Sequence, residues 1–233
     1  MGIINKLLDF FENIRLGKYK NEDVLEDNVV DIDERCEMFY EKYFSKEAKS
    51  NLCNKEWILH YCIKKAWIDA TMSERFKSGS EIIKNKEYII VFLEKELLNN
   101  QKFICENFEQ WHNLICECKE YNMRYGVWQK LINMTFKYLY CIKEIFPEFS
   151  SVWGDCHCPI DTVIAKEIHD KLKKMGVSQS ELVLSKKVSI SDSVVNWNNI
   201  TKTDYLKLQK QIKLICEEDD MCPIEFDFVY WKN

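Results

Sequence analysis

Between residues 55 and 121, apolar side chains return every three or four positions with almost nothing to interrupt them. That spacing puts them on one side of an α-helix and is incompatible with the two-residue alternation of a half-buried strand. The rest of the chain repeats the pattern. Only 3 prolines and 6 glycines fall in 233 residues, too few for a fold built on turns and short strands. The expected fold class is all-α. Helices are expected over residues 3–14, 34–44, 55–76, 80–98, 101–121 and 128–146. Another should run from Pro159 to about Met175, where Gly176 ends it. Residues 178–184 form a possible short helix and 188–195 a possible extended segment. Thr201 with Asp204 reads as the cap of a following helix through Tyr205, Leu208, Ile212 and Ile215. Pro223 opens a last helix over residues 224–231. There is no internal repeat.

Length and a hydrophobic content of 46% suit one large domain or two closely packed lobes. The formal net charge of -5 argues against a general coat for nucleic acid. The charge is uneven, however. Residues 126–213 carry 13 Lys and Arg against 9 Asp and Glu, so one face could be basic. No run is long and apolar enough to span a membrane. The first seventeen residues alternate Ile3, Ile4, Leu7, Leu8 and Phe11 with polar side chains, unlike a secretory leader. The 11 cysteines are therefore expected to be free thiols in a reducing, cytoplasmic setting.

Several chemistries lack their residues. Cys116-x-Cys118 and Cys156-His157-Cys158 crowd thiols and imidazole together, but not at the spacing of a zinc site, and no metal is expected. No Gly-rich phosphate loop or Gly-x-Ser-x-Gly elbow occurs. The four histidines lie mostly on helical stretches.

One stretch remains. Gly126-Val127-Trp128-Gln129-Lys130 leads into a strongly apolar helix, and Cys158-Pro159-Ile160-Asp161 follows it. On the 128–146 helix, Lys130, Asn133, Lys137 and Glu144 form a narrow polar stripe opposite the apolar face. The stripe is either a solvated surface or the lining of a polar cleft. An amine near a helix N-terminus with apolar walls is favoured in its neutral, nucleophilic form, whereas a carboxylate beside it favours the ammonium.

Gly126-Val127-x-x-Lys130 followed by Pro159-Ile160-Asp161 resembles the hairpin lysine and Pro-x-Asp of the helix–hairpin–helix DNA glycosylases. The nearer likeness is to the archaeal 8-oxoguanine DNA glycosylase branch, through Gln129-Lys130, Lys137, and the final Pro223-Ile224-Glu225-Phe226-Asp227 with Trp231. The likeness covers residues 125–231. Trp128 stands where many such hairpins have glycine, and Met134 where an aromatic wall is expected. The resemblance implies a helical fold of two lobes, residues 1–124 and 125–233, with a cleft between them. It implies a monomeric DNA glycosylase and AP lyase that needs no cofactor and excises a modified, 8-oxoguanine-like base flipped from DNA. Lys130 would be the Schiff-base nucleophile and Asp161 its carboxylate partner. Asp227, Trp231, Met134 and Lys137 would bind the base, with Asp227 and Trp231 on one helix face. Gly126, Val127 and Gln129 would meet the DNA backbone. The alternative is a non-catalytic helical module of the same ancestry that binds nucleic acid or a nucleotide. Trp57, Trp67, Asp69, Arg75 and Trp111 complete a base pocket or fill the core.

Overall fold

The computed structural model describes residues 31–72, 81–174 and 197–231. Among them the architecture is all-α, without a strand. In chain order the α-helices are α1 (Ile32–Tyr43), α2 (Lys46–Ser50), α3 (Lys55–Thr71), α4 (Glu81–Lys84), α5 (Lys86–Asn99), α6 (Gln101–Glu106) and α7 (Phe108–Cys116), then α8 (Tyr125–Tyr140), α9 (Thr162–Lys174), α10 (Lys202–Glu218) and α11 (Pro223–Tyr230). Short 3-10 turns fill 143–155 and 197–199. The segments expected at 3–14, 178–184 and 188–195 lie outside the described residues, as does Arg75.

Local chemistry sets many of the boundaries. The side chains of Asp31, Ser45, Asn54 and Thr201 each accept a backbone N–H at the start of α1, α2, α3 and α10. They satisfy donors that a helix start leaves without a carbonyl. Pro223 occupies the first turn of α11, where its missing N–H costs nothing, and Glu225 reaches back to the Cys222 N–H at 2.7 Å. Two expected helices are divided. Residues 101–121 break at Asn107, whose backbone (φ -147°, ψ 48°) is not helical. Residues 80–98 divide around Asn85.

Helix α8 is the axis of the molecule. It starts at Tyr125, earlier than the expected 128, and stops at Tyr140, so Glu144 lies beyond it, exposed. Every residue from Gly126 to Tyr140 is buried. A helix covered on all sides needs neighbours all round. These are α3 along its length, α7, and the 197–199 turn. The polar stripe is thus not a solvated surface, and its four members part company.

Buried apolar side chains form two clusters. One takes in α1 to α8 and the following turns as far as Cys156, with Ile224 and Phe228. The other joins Cys158, Ile160, α9, α10 and Phe226. The buried apolar residues of α8 all belong to the first, Tyr125 packs against both, and the buried clusters divide near His157. Helix α11 faces both. No described helix is long and apolar enough to cross a membrane.

Candidate active site

The polar residues of α8 are placed by helical spacing. Lys130 and Lys137, two turns apart, fall on one side of the helix, while Gln129 and Asn133, one turn apart, fall on another. The lysines line a cavity of about 490 Å³. Asp161, Asp227, Met134 and Trp231 line the same cavity. Residues drawn from three parts of the sequence thus converge on one space.

Lys130 Nζ lies 3.1 Å from Asp161 Oδ2. Trp197 covers the amine from one side, its ring centroid 4.6 Å away. Asp161 has a second task. Its Oδ1 accepts the N–H groups of Val163 (2.9 Å) and Ile164 (3.0 Å), capping α9. That helix therefore begins at Thr162, and Pro159 stands before it, not in its first turn. Burial pushes the Asp161 carboxyl upward, but the Lys130 ammonium and the two N–H donors outweigh it and hold the group below its ordinary value.

Gly126, Val127 and Gln129, expected at the DNA backbone, are all buried. A Cβ on Gly126 would sit 2.2 Å from the Trp197 carbonyl oxygen, so the glycine is there to let the 197–199 turn approach. Gln129 is a strut. Its Nε2 donates to the carbonyls of Gly126 and Ile160, each at 3.0 Å. Its Oε1 accepts the Ile160 N–H at 3.2 Å. Both backbone groups of the residue before Asp161 are thereby tied to the residue before Lys130.

Lys137 sits deeper, 1% exposed, and pairs with Asp227 at 2.5 Å. The rings of Phe39 and Phe228 lie 4.5 Å from its Nζ and that of Trp231 lies 5.9 Å away. Burial raises the Asp227 carboxyl, and nearby Asp161 adds to this against the pull of Lys137. Trp231 follows Asp227 by four residues and lines the same cavity. Helix α11 ends at Tyr230, and Trp231 has the extended backbone of a C-cap (φ -64°, ψ 122°). It packs edge-on against Phe39 (5.3 Å) and Tyr43 (5.8 Å) and remains part-exposed at the cavity wall.

Sequence reasoning did not single out Phe39, Tyr43 or Trp197, which supply aromatic walls. Asp69, one of several candidates, does line the cavity, and its carboxylate accepts the Tyr138 hydroxyl at 2.9 Å. Burial raises its carboxyl, opposed by Tyr138 and by the lysines around it. Trp57, Trp67 and Trp111 are not cavity residues; Trp67 and Trp111 fill the core. Trp128 is fully buried against Phe92 and Tyr121, and its indole N–H lacks a partner among the described residues.

No family model, curated protein or solved structure matches this chain.

Proposed function

We propose that this protein is a DNA glycosylase with lyase activity, of the helix–hairpin–helix type, using Lys130 as nucleophile. The observation that carries the reading is the Lys130–Asp161 contact of 3.1 Å inside a cavity also lined by Asp227 and Trp231. The cavity is roomy enough for a flipped base, which an enzyme must take out of the stack to reach its glycosidic bond. Lys130, an ammonium in its resting pair with Asp161, gives a proton to water, and the freed amine attacks the sugar C1′. The bond from C1′ to the base nitrogen breaks, its electron pair leaves with the base, and the amine proton follows. Ring opening then gives the Schiff base, from which β-elimination expels the 3′ phosphate. Asp161, held ionised by its N–H donors, stabilises positive charge developing on the sugar. Trp231 and Met134 bound the space for the base. Asp227 and Lys137 offer it an acceptor and a donor. The two buried clusters, with α11 across them, serve as the two lobes, and DNA is the partner.

Borohydride trapping on duplexes carrying a panel of oxidised and alkylated bases tests this. A covalent adduct should form with at least one lesion and disappear in Lys130→Gln, while lesion-DNA binding persists. An adduct undiminished by that substitution would assign the chemistry elsewhere. A second reading rests on Asp161 also capping α9: the ion pair would then be a structural tie in a binding module without catalysis. Lesion-DNA binding without an adduct on any substrate selects it.

A further inference from the structure

A second cavity, of about 860 Å³, opens between α7 and α10, with Gly154, Asp155 and His157 on its floor. Nothing at the Lys130 site uses it. Its walls carry opposite charges: Glu106 and Glu109 on the α7 side, Lys210 and Lys213 on α10. At one end the walls meet, where Lys202 Nζ lies 3.0 Å from Glu117. Eight residues from that pair along the chain on either side, a rise of about 12 Å in helix, stand Glu109 and Lys210. Neither they nor Lys213 form an ion pair among the described residues. The complementary charges are present at this level, but the walls stand apart.

The floor offers a donor whose identity follows from proton bookkeeping. Asn133 Nδ2 approaches Gln129 Oε1 (3.2 Å), the Cys158 carbonyl (3.3 Å) and the Tyr205 hydroxyl (2.8 Å), so turning the amide over would set oxygen against oxygen. Its Oδ1 therefore accepts, and His112 Nε2, 3.1 Å away, carries the proton. Tyr205, 3.2 Å from that protonated nitrogen, cannot donate to it. The Tyr205 hydroxyl donates instead to His157 Nδ1 at 2.8 Å. His157 is thus the Nε2–H tautomer. The ring is 8% exposed and lines the cavity, and its Nε2–H has no partner among the described residues. Lys213 acts electrostatically on the same ring.

We propose that this cavity binds a small zwitterion, an amino acid or short peptide, with its carboxylate on His157 Nε2–H and Lys213 and its ammonium on Glu109. A polyanion such as nucleic acid would meet repulsion from Glu106, Glu109 and Asp155. A neutral molecule with separated charges satisfies both walls. The proposal stands apart from the glycosylase reading.

The test is an NMR titration of the full chain, labelled with ¹⁵N-histidine, with diglycine. The His157 Nε2–H signal should shift and saturate. N-acetyldiglycine lacks the ammonium and diglycinamide lacks the carboxylate; each should bind at least about tenfold more weakly, the effect of losing one hydrogen bond to a charged group. Lys213→Ala and Glu109→Gln, both at exposed positions, should weaken diglycine by a similar factor. A flat titration overturns the proposal. So does an equal response to inorganic phosphate or to the acetylated peptide, which would mark a plain anion site.

Discussion

Gln129 hydrogen-bonds both backbone groups of Ile160, and this fixes the distance between the side chains that follow each of them, Lys130 and Asp161. The strut is buried, so its loss is not compensated by water. Gln129→Leu keeps the side-chain bulk and leaves the Ile160 N–H and C=O without partners. At roughly 1–3 kcal/mol for each buried group left unsatisfied, the melting temperature should fall by several degrees. The Asp161 carboxyl should also rise toward its ordinary value as the lysine drifts away. A ¹³C pH titration of Asp161 checks this. An unchanged titration in the folded variant would mean that α9 alone positions Asp161.

Asp69 predicts the opposite sign. Its carboxyl is raised by burial, so ionisation at neutral pH opposes folding. A group whose folded pKa is raised contributes stability below its unfolded pKa and loses it as pH rises through the folded pKa. Asp69→Asn keeps an acceptor for the Tyr138 hydroxyl and removes the buried charge. Urea denaturation should find the variant more stable than the parent at pH 7. The gain should vanish below about pH 4, where the unfolded-state carboxyl is itself protonated. Equal stability at pH 7 would show the lysines fully offset the burial.

Much of this was legible before the structure. Helical periodicity gave the fold class because a 3.6-residue stripe has no other solution. Lys130, Asp161, Asp227 and Trp231, singled out through the family resemblance, line one cavity. Three kinds of fact were hidden. The break at Asn107 was invisible because apolar spacing runs on through it and only the backbone angles reveal the interruption. The packing of Gly126 and the hydrogen bonds of Gln129 were hidden because each depends on a segment far along the chain, the 197–199 turn and Ile160. Phe39 and Tyr43 looked like any aromatics of an amphipathic helix until α1 was packed against α11.

Gly126 sits in the first turn of α8 directly beneath the Trp197 carbonyl. Alanine is the better helix former, and on propensity alone it would stabilise an internal position by about 1 kcal/mol. Here its Cβ meets backbone oxygens at 2.2 and 2.8 Å, and neither can rotate away. Gly126→Ala should therefore destabilise, by about 1–3 kcal/mol as for other overpacked sites, and lift Trp197 off Lys130. Chemical denaturation reads the first effect. Faster reductive methylation of Lys130 reads the second. A variant as stable as the parent would show that the 197–199 turn yields freely.

Lys137 and Asp227 form the most deeply buried ion pair among the described residues, their side chains 1% and 10% exposed. Such a pair is a weak source of net stability, because desolvating two charges cancels most of their attraction, yet removing one partner strands the other. Lys137→Met fits the space among Phe39, Phe228 and Trp231 but leaves Asp227 without its counter-charge. The cost should be about 3–5 kcal/mol at neutral pH. It should shrink as pH falls and Asp227 takes up a proton, since its carboxyl is already displaced upward by burial. Adding Asp227→Leu to Lys137→Met should recover most of the loss, a coupling that a double-mutant cycle in urea measures directly. On the glycosylase reading the double variant should still form the borohydride adduct through Lys130 but discriminate poorly among bases. Loss of the adduct together with full recovery of stability would place the buried pair in the chemistry itself, not in recognition of the base.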